Sequence, residues 1–101
     1  MSEQVTASHI LVASKGEAKT ILQNIRDARK ARKEFTKRAK KHSTCPSRQR
    51  GGKLGTFGPG QMVRQFDEVC WTLPVGEISE PVKTEFGWHL ILVESRNSTR
   101  F

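Results

Sequence analysis

Cysteine is scarce in this sequence. Cys45 and Cys70 are too few for a disulfide framework, and they lack the CxxC spacing of a redox or metal motif. Long apolar runs are missing as well. No stretch approaches the roughly 20 apolar residues of a membrane helix. The opening MSEQVTAS is polar where a signal peptide would be apolar. A reduced, soluble chain is therefore expected, intracellular (cytoplasmic or nuclear) and without a membrane partner. Metal ligands are thin. His42 and Cys45 stand three apart, and adding His9 and His89 does not give the two paired clusters of a zinc site. No metal is expected. Phosphate loops are absent too: GGKLGTFGPG is rich in glycine but lacks a Gly-Lys-Ser/Thr ending, and no GxGxxG opens a helix. No acyl-transfer signature surrounds Cys45, which argues against a covalent cysteine hydrolase.

Negative charge is missing from one quarter of the chain. Residues 26 to 50 hold eleven Lys/Arg against two acids, a balance of +9, while the remainder holds seven against eight, a balance of −1. The whole net charge of +8 therefore lives in that block. Two readings stay open. The block, with Arg29, Lys30, Arg32, Lys33 and Lys37 at its centre, is a surface for DNA, RNA or an acidic protein partner. Alternatively it is a solvated helix face. In a eukaryote it would also serve as a nuclear localisation signal.

The 101 residues suit one domain, with a core over 5–95 and a frayed tail at 96–101. VTASHILVAS alternates, with Val5, Ala7, His9 and Leu11 on one face, and reads as a strand. SKGEAKTILQNIRDARKARKEF changes period: Ala18, Ile21, Leu22 and Ile25 form a helical core stripe. The stripe thins at Ala28 and Ala31, so the far end is expected to project toward water. A second helix, EFTKRAKKHS, is anchored by Phe35 and Ala39. Residues 43 to 60 contain five glycines and two prolines and read as a long structured loop around a short strand, KLGTF. QMVRQFDEVCWTL is helical, with Met62, Phe66, Val69 and Leu73 in one stripe and Cys70 beside it as core. PVGEISEPVKT turns and runs into a strand. FGWHLILVESR is apolar on both faces and so central in a sheet. The order is β-α-α-β-α-β-β, without repeats or a linker.

Two of the three histidines, His9 and His89, sit inside the most strand-like segments. Each by itself fits a buried imidazole bonded to its neighbours. If the strands are adjacent, the two rings come within one hydrogen bond and can share a proton. Met62 and Phe66, one helical turn apart, fit core packing or an adaptable dry pocket.

Taken together, SHILV, then KKHSTCPS, then RGGKLGTFGPGQMVRQFDEVCWTLPVGEISEPVKTEFGWHLILVE resemble, in order, the motifs of the parvulin family of peptidyl-prolyl cis–trans isomerases. The match covers nearly the whole chain. The resemblance implies an α+β fold, a four-stranded antiparallel sheet wrapped by three to four helices, working as a monomer without a cofactor. It implies that His9 and His89 lie beneath the reacting peptide bond, with Cys45 beside it and Thr84 in the histidine network. It implies a proline pocket of Leu54, Met62 and Phe66, which Phe57 helps to close, with Phe86 where the family has an aromatic or small polar residue. Substrates would be Xaa-Pro bonds in peptides and proteins, in folding or conformational switching. Three departures bear on preference. The stretch SKGEAK offers only Lys15 and Lys19 where phosphate-directed parvulins carry a basic loop, which argues against strict phosphoserine specificity. Lys53 replaces a common acidic residue, and Arg38 occupies a helix position that is often apolar. There is no room for an additional WW domain.

Overall fold

Alternation in the first strand sets up two core layers. The computed structural model of the chain describes residues 3–97. Strand β1 (Gln4–Val12) sends Ile10 and Val12 to one layer and Val5 and Ala7 to the other. It pairs antiparallel along its length with β4 (Gly87–Asn97), and on its other edge with β2 (Lys53–Phe57). A short strand β3 (Val82–Thr84) pairs with β4, giving the antiparallel order β2-β1-β4-β3. β4 is central, as its two apolar faces require: Leu90 and Leu92 serve one layer, Ile91 and Val93 the other.

The layer beneath Ile10 and Val12 is built by α1 (Lys15–Asp27) and α2 (Ala31–His42). Helix α1 starts because the Ser14 hydroxyl accepts the Glu17 N–H at 3.1 Å, satisfying a donor that the first turn leaves unpaired. Its stripe Ala18, Ile21, Leu22 and Ile25 is buried as expected. The sequence reads as helical through residue 35, but α1 stops at Asp27 and α2 begins anew at Ala31. Past Ile25 a straight helix would have only Ala28 and Ala31 to set against the sheet. The break lets Phe35 and Ala39 reach the same core instead. Arg38, at a position often apolar, is accommodated by a 2.6 Å ion pair with Glu34 one turn away.

The opposite layer is covered by α3 (Arg64–Thr72), whose Phe66 and Cys70 are buried against Val5, Ala7, Ile91 and Val93. The helix is shorter than the spacing suggests, and Met62 lies in the segment leading into it. The long loop holds a 3₁₀ turn at Pro46–Arg50 before β2. Arg96 and Asn97, expected in a frayed tail, belong to β4; the Arg96 guanidinium donates to the carbonyls of Cys70 and Leu73 at the end of α3. The rest of that tail lies outside the described residues. Among the described residues no helix is long and apolar enough to cross a membrane.

Candidate active site

A single-residue irregularity brings the two strand histidines together. Near the start of β1 the pairing is Thr6 with Ser95, but the next residue, Ala7, pairs with Val93, which leaves Glu94 as a bulge. From there His9 pairs with Ile91 and Leu11 with His89. Both histidines then share the α3 face as diagonal neighbours. Had the first register continued, His9 would oppose Leu92 and the two imidazoles would lie on opposite faces. Glu94 is held by the Ser8 hydroxyl at 2.6 Å and by Arg32 at 3.2 Å.

The imidazoles are buried and stacked, with ring centroids 5.1 Å apart and Nδ1 to Nδ1 3.0 Å. Phe66 stands edge-on to both, at 5.5 Å from His9 and 5.3 Å from His89. Thr84 Oγ1 lies 2.7 Å from His89 Nε2 and accepts the Phe86 N–H at 3.1 Å. Burial first, then the charge His89 would carry, pushes His9 down to about 4; burial pushes His89 down to about 4 as well. Near neutral pH both rings are therefore uncharged, and the contact between the Nδ1 atoms holds one proton. Either Thr84 donates to His89, which donates to His9, or the chain runs in reverse. In both arrangements His9 Nε2 is the open end, buried and without a hydrogen-bond partner among the described residues.

Cys45 is held beside β1 by a backbone tether. The buried Ser43 hydroxyl accepts the Leu11 N–H at 3.0 Å and the Cys45 N–H at 3.4 Å, and the Thr44 N–H donates to the Leu11 carbonyl at 2.8 Å. On the other side the His9 N–H donates to the Gly52 carbonyl at 2.9 Å. Gly52 has φ +89°, and a Cβ there would lie 2.4 Å from the His9 carbonyl oxygen, so this approach requires glycine.

Above the histidines opens a depression of about 470 Å³. His9, His89, Cys45, Leu54, Met62, Phe66 and Phe86 all line it, as the resemblance implies. Thr84 lies behind His89 rather than on the surface of the depression. Phe57 is a correction: it does not line the depression but is buried in the core behind Phe66, ring centroids 6.5 Å apart, because β2 turns it toward Val5. Leu11, Thr44, Pro46, Gln61 and Val63 complete the lining and were not singled out from sequence. Leu11 had a signal, since it shares the alternating face of His9. Ser43 had none. Cys70 is core, as expected, with burial and then the Asp67 charge pushing its thiol up to about 12.

The basic residues lie elsewhere. Arg29 and Lys30 occupy the exposed link between α1 and α2. Arg32, Lys33 and Lys37 line a shallow depression on α2 with Thr36 and Lys40. Arg32 is also engaged with Glu94.

Such an uncharged depression over paired neutral imidazoles fits a clamp for an apolar ring held against a polar floor. The comparisons with known proteins identify the group. Residues 9–95 match the family model for the rotamase, PPIC-type PPIASE domain. This chain belongs to that family, the parvulins. It is 41% identical over 98 residues to the foldase protein PrsA of Geobacillus kaustophilus, covering 96% of this chain and 34% of that protein. It is 38% identical over 103 residues to the chaperone SurA of Chromobacterium violaceum, covering 97% of this chain and 24% of that one. The chain thus spans about a third or less of the length of these curated relatives. Among solved structures, Pin from the psychrophilic archaeon Cenarcheaum symbiosum superposes with a TM-score of 0.78 at 42% identity, over 94% of this chain and 95% of that one. The α+β fold with a four-stranded antiparallel sheet that the resemblance implies is the one observed.

Proposed function

We propose that this parvulin domain rotates Xaa-Pro bonds in peptides and proteins by a non-covalent mechanism, without requiring a phosphate on the substrate. The observation that carries this reading is the His9–His89 pair at 3.0 Å beneath an apolar depression. Rotation about the bond faces a barrier of roughly 18–20 kcal/mol, set by amide resonance. Accelerating it needs no bond broken, only a site that holds the twisted amide more tightly than the planar one. Leu54, Met62 and Phe66 clamp the proline ring. Burial of the carbonyl away from water disfavours its charge-separated resonance form. The polar floor of His9, His89 and Thr84, with Cys45 beside it, meets the nitrogen as it loses conjugation. A thousandfold acceleration corresponds to about 4 kcal/mol of such differential binding. The connection from β1 to α1 is Ala13 and Ser14 alone, which leaves no basic loop there to take a phosphate. The names of the relatives, foldase and chaperone, support a role in protein folding.

The test is NMR exchange spectroscopy on Xaa-Pro peptides with a trace of the protein. Accelerated cis–trans exchange is the expected result. A folded sample that accelerates none of the peptides overturns the reading.

A second reading has its own observation. Lys33, Lys37 and Lys40 share one exposed face of α2 and have no ion-pair partner among the described residues. We propose that this face binds a polyanion such as DNA or RNA, away from the depression. Affinity should fall steeply with salt. Charge reversal at Lys33 and Lys37 should abolish it while proline isomerisation continues. Binding that survives the reversal removes the idea.

A further inference from the structure

The chain carries 28% charged residues and a net charge of +8, yet among the described residues no Lys, Arg, Asp or Glu lines the depression. At its rim stands Phe86, 64% exposed; among the described residues the other exposed large hydrophobic side chain is Val75, at 50%. An aromatic left in water costs free energy unless something covers it when the protein works, and exposed aromatics at a pocket mouth are the usual anchors of recognition. The position of Phe86 is fixed. Its N–H is bound by Thr84 Oγ1, the same hydroxyl that meets His89. The turn that presents it is closed by the Thr84–Gly87 pair, and Gly87 has φ +137°, with a Cβ there lying 2.7 Å from the Val12 carbonyl. Glu85, exposed in the same turn, adds a negative charge beside the rim.

We infer that Phe86 is a specificity residue: it selects substrates with an apolar or aromatic side chain flanking the proline and disfavours acidic or phosphorylated ones. This rests on the isomerase reading above and names its substrate class. A flanking apolar side chain covers the exposed ring and loses its own hydration. A flanking carboxylate or phosphate would be desolvated against an uncharged wall with no cation to receive it. Whether the covered residue precedes or follows the proline is decided by the peptides used.

The experiment measures exchange efficiency for two peptide sets. In one the residue before proline is varied among leucine, phenylalanine, glutamate and phosphoserine; in the other the residue after it is varied likewise. Each set is run with the wild type, Phe86→Ser and Phe86→Leu, with folding checked by amide NMR spectra. In the wild type the apolar members should exceed the acidic ones about tenfold, the scale of one buried apolar side chain. Phe86→Ser should narrow that ratio to within about threefold in the set that reports the contact, and Phe86→Leu should keep it. A ratio untouched by Phe86→Ser in both sets, or acidic peptides ranking first in the wild type, overturns the assignment. Exchange accelerated for no peptide by a folded wild type brings down the isomerase reading itself, and this inference with it.

Discussion

His9 and His89 approach to 3.0 Å between their Nδ1 atoms although neither is the other's cross-strand partner. The partners are Ile91 for His9 and Leu11 for His89, so the imidazoles meet diagonally across the β1–β4 pair. Their common face depends on the bulge at Glu94, which shifts the register by one residue. Thr84 continues the contact at 2.7 Å, and Phe66 stands edge-on to both rings. Four residues from three strands and one helix thus form one contiguous floor.

That floor should make the protein sensitive to mild acid. Both imidazoles are held at about 4 against 6.5 for an unperturbed ring, His9 by burial and then by His89, His89 by burial. Between those values the unfolded chain binds protons that the folded chain refuses. The stability tied to the neutral pair is fully present above about pH 6.5 and is lost as pH falls toward about 4. Melting temperatures should therefore decline through this window. Ring nitrogen shifts followed by NMR should show both imidazoles neutral at pH 6; either ring titrating at its ordinary value counts against the arrangement.

Thr84→Val keeps the side-chain shape and removes the hydroxyl. The Phe86 N–H and His89 Nε2 both lose their partner, at a cost of about 1–3 kcal/mol for a buried unsatisfied group. Isomerase efficiency should drop with it, and Thr84→Ser should restore most of both. Denaturant titration and peptide exchange on the same samples give the two readouts. A valine variant as stable as the wild type would show that the hydroxyl matters little.

Gly52→Ala places a Cβ 2.4 Å from the His9 carbonyl at a φ of +89°, so it should destabilise by about 2 kcal/mol or more. Gly16→Ala is the control. Nothing lies within 4 Å of a Cβ there, and the position is in the first turn of α1. A helix favours alanine over glycine, so this change should stabilise by about 0.5 kcal/mol. Urea unfolding of the pair checks both signs, and a neutral Gly52→Ala would contradict the close approach of that loop to β1.

Met62→Ala should weaken the grip on the proline ring. Met62 lies before α3, lines the depression and is only partly buried, so the fold should tolerate its loss better than that of Phe66. Efficiency should fall about tenfold, the scale of one apolar side chain. Phe66→Ala removes core as well, at about 3–5 kcal/mol, and is the poorer test. Full activity in folded Met62→Ala would remove Met62 from the clamp.

What the sequence determined was local in its physics. Alternation in VTASHILVAS, the stripe from Ala18 to Ile25 and the doubly apolar run from Leu90 to Val93 each reflect the period of one element, which is set by backbone geometry and nearby side chains. The family motifs carried the histidines, Cys45, Thr84, Leu54, Met62, Phe66 and Phe86 to one site, and the structure places them within or directly behind one depression. Tertiary structure decided the rest. Phe57 shares the character of a pocket residue but is turned into the core by the pairing of β2 with Val5. Helix α1 ends at Asp27, where its large apolar residues run out, and α2 takes up the same core with Phe35. Ser43, an unremarkable serine in a loop, ties Cys45 to β1 because two backbone N–H groups need an acceptor where the chain is buried. The facing of His9 toward His89, residues 80 apart, turned on a register that neither strand's own pattern contains. Register is a property of the pair of strands, fixed when Glu94 is extruded from the ladder and held by Ser8 and Arg32.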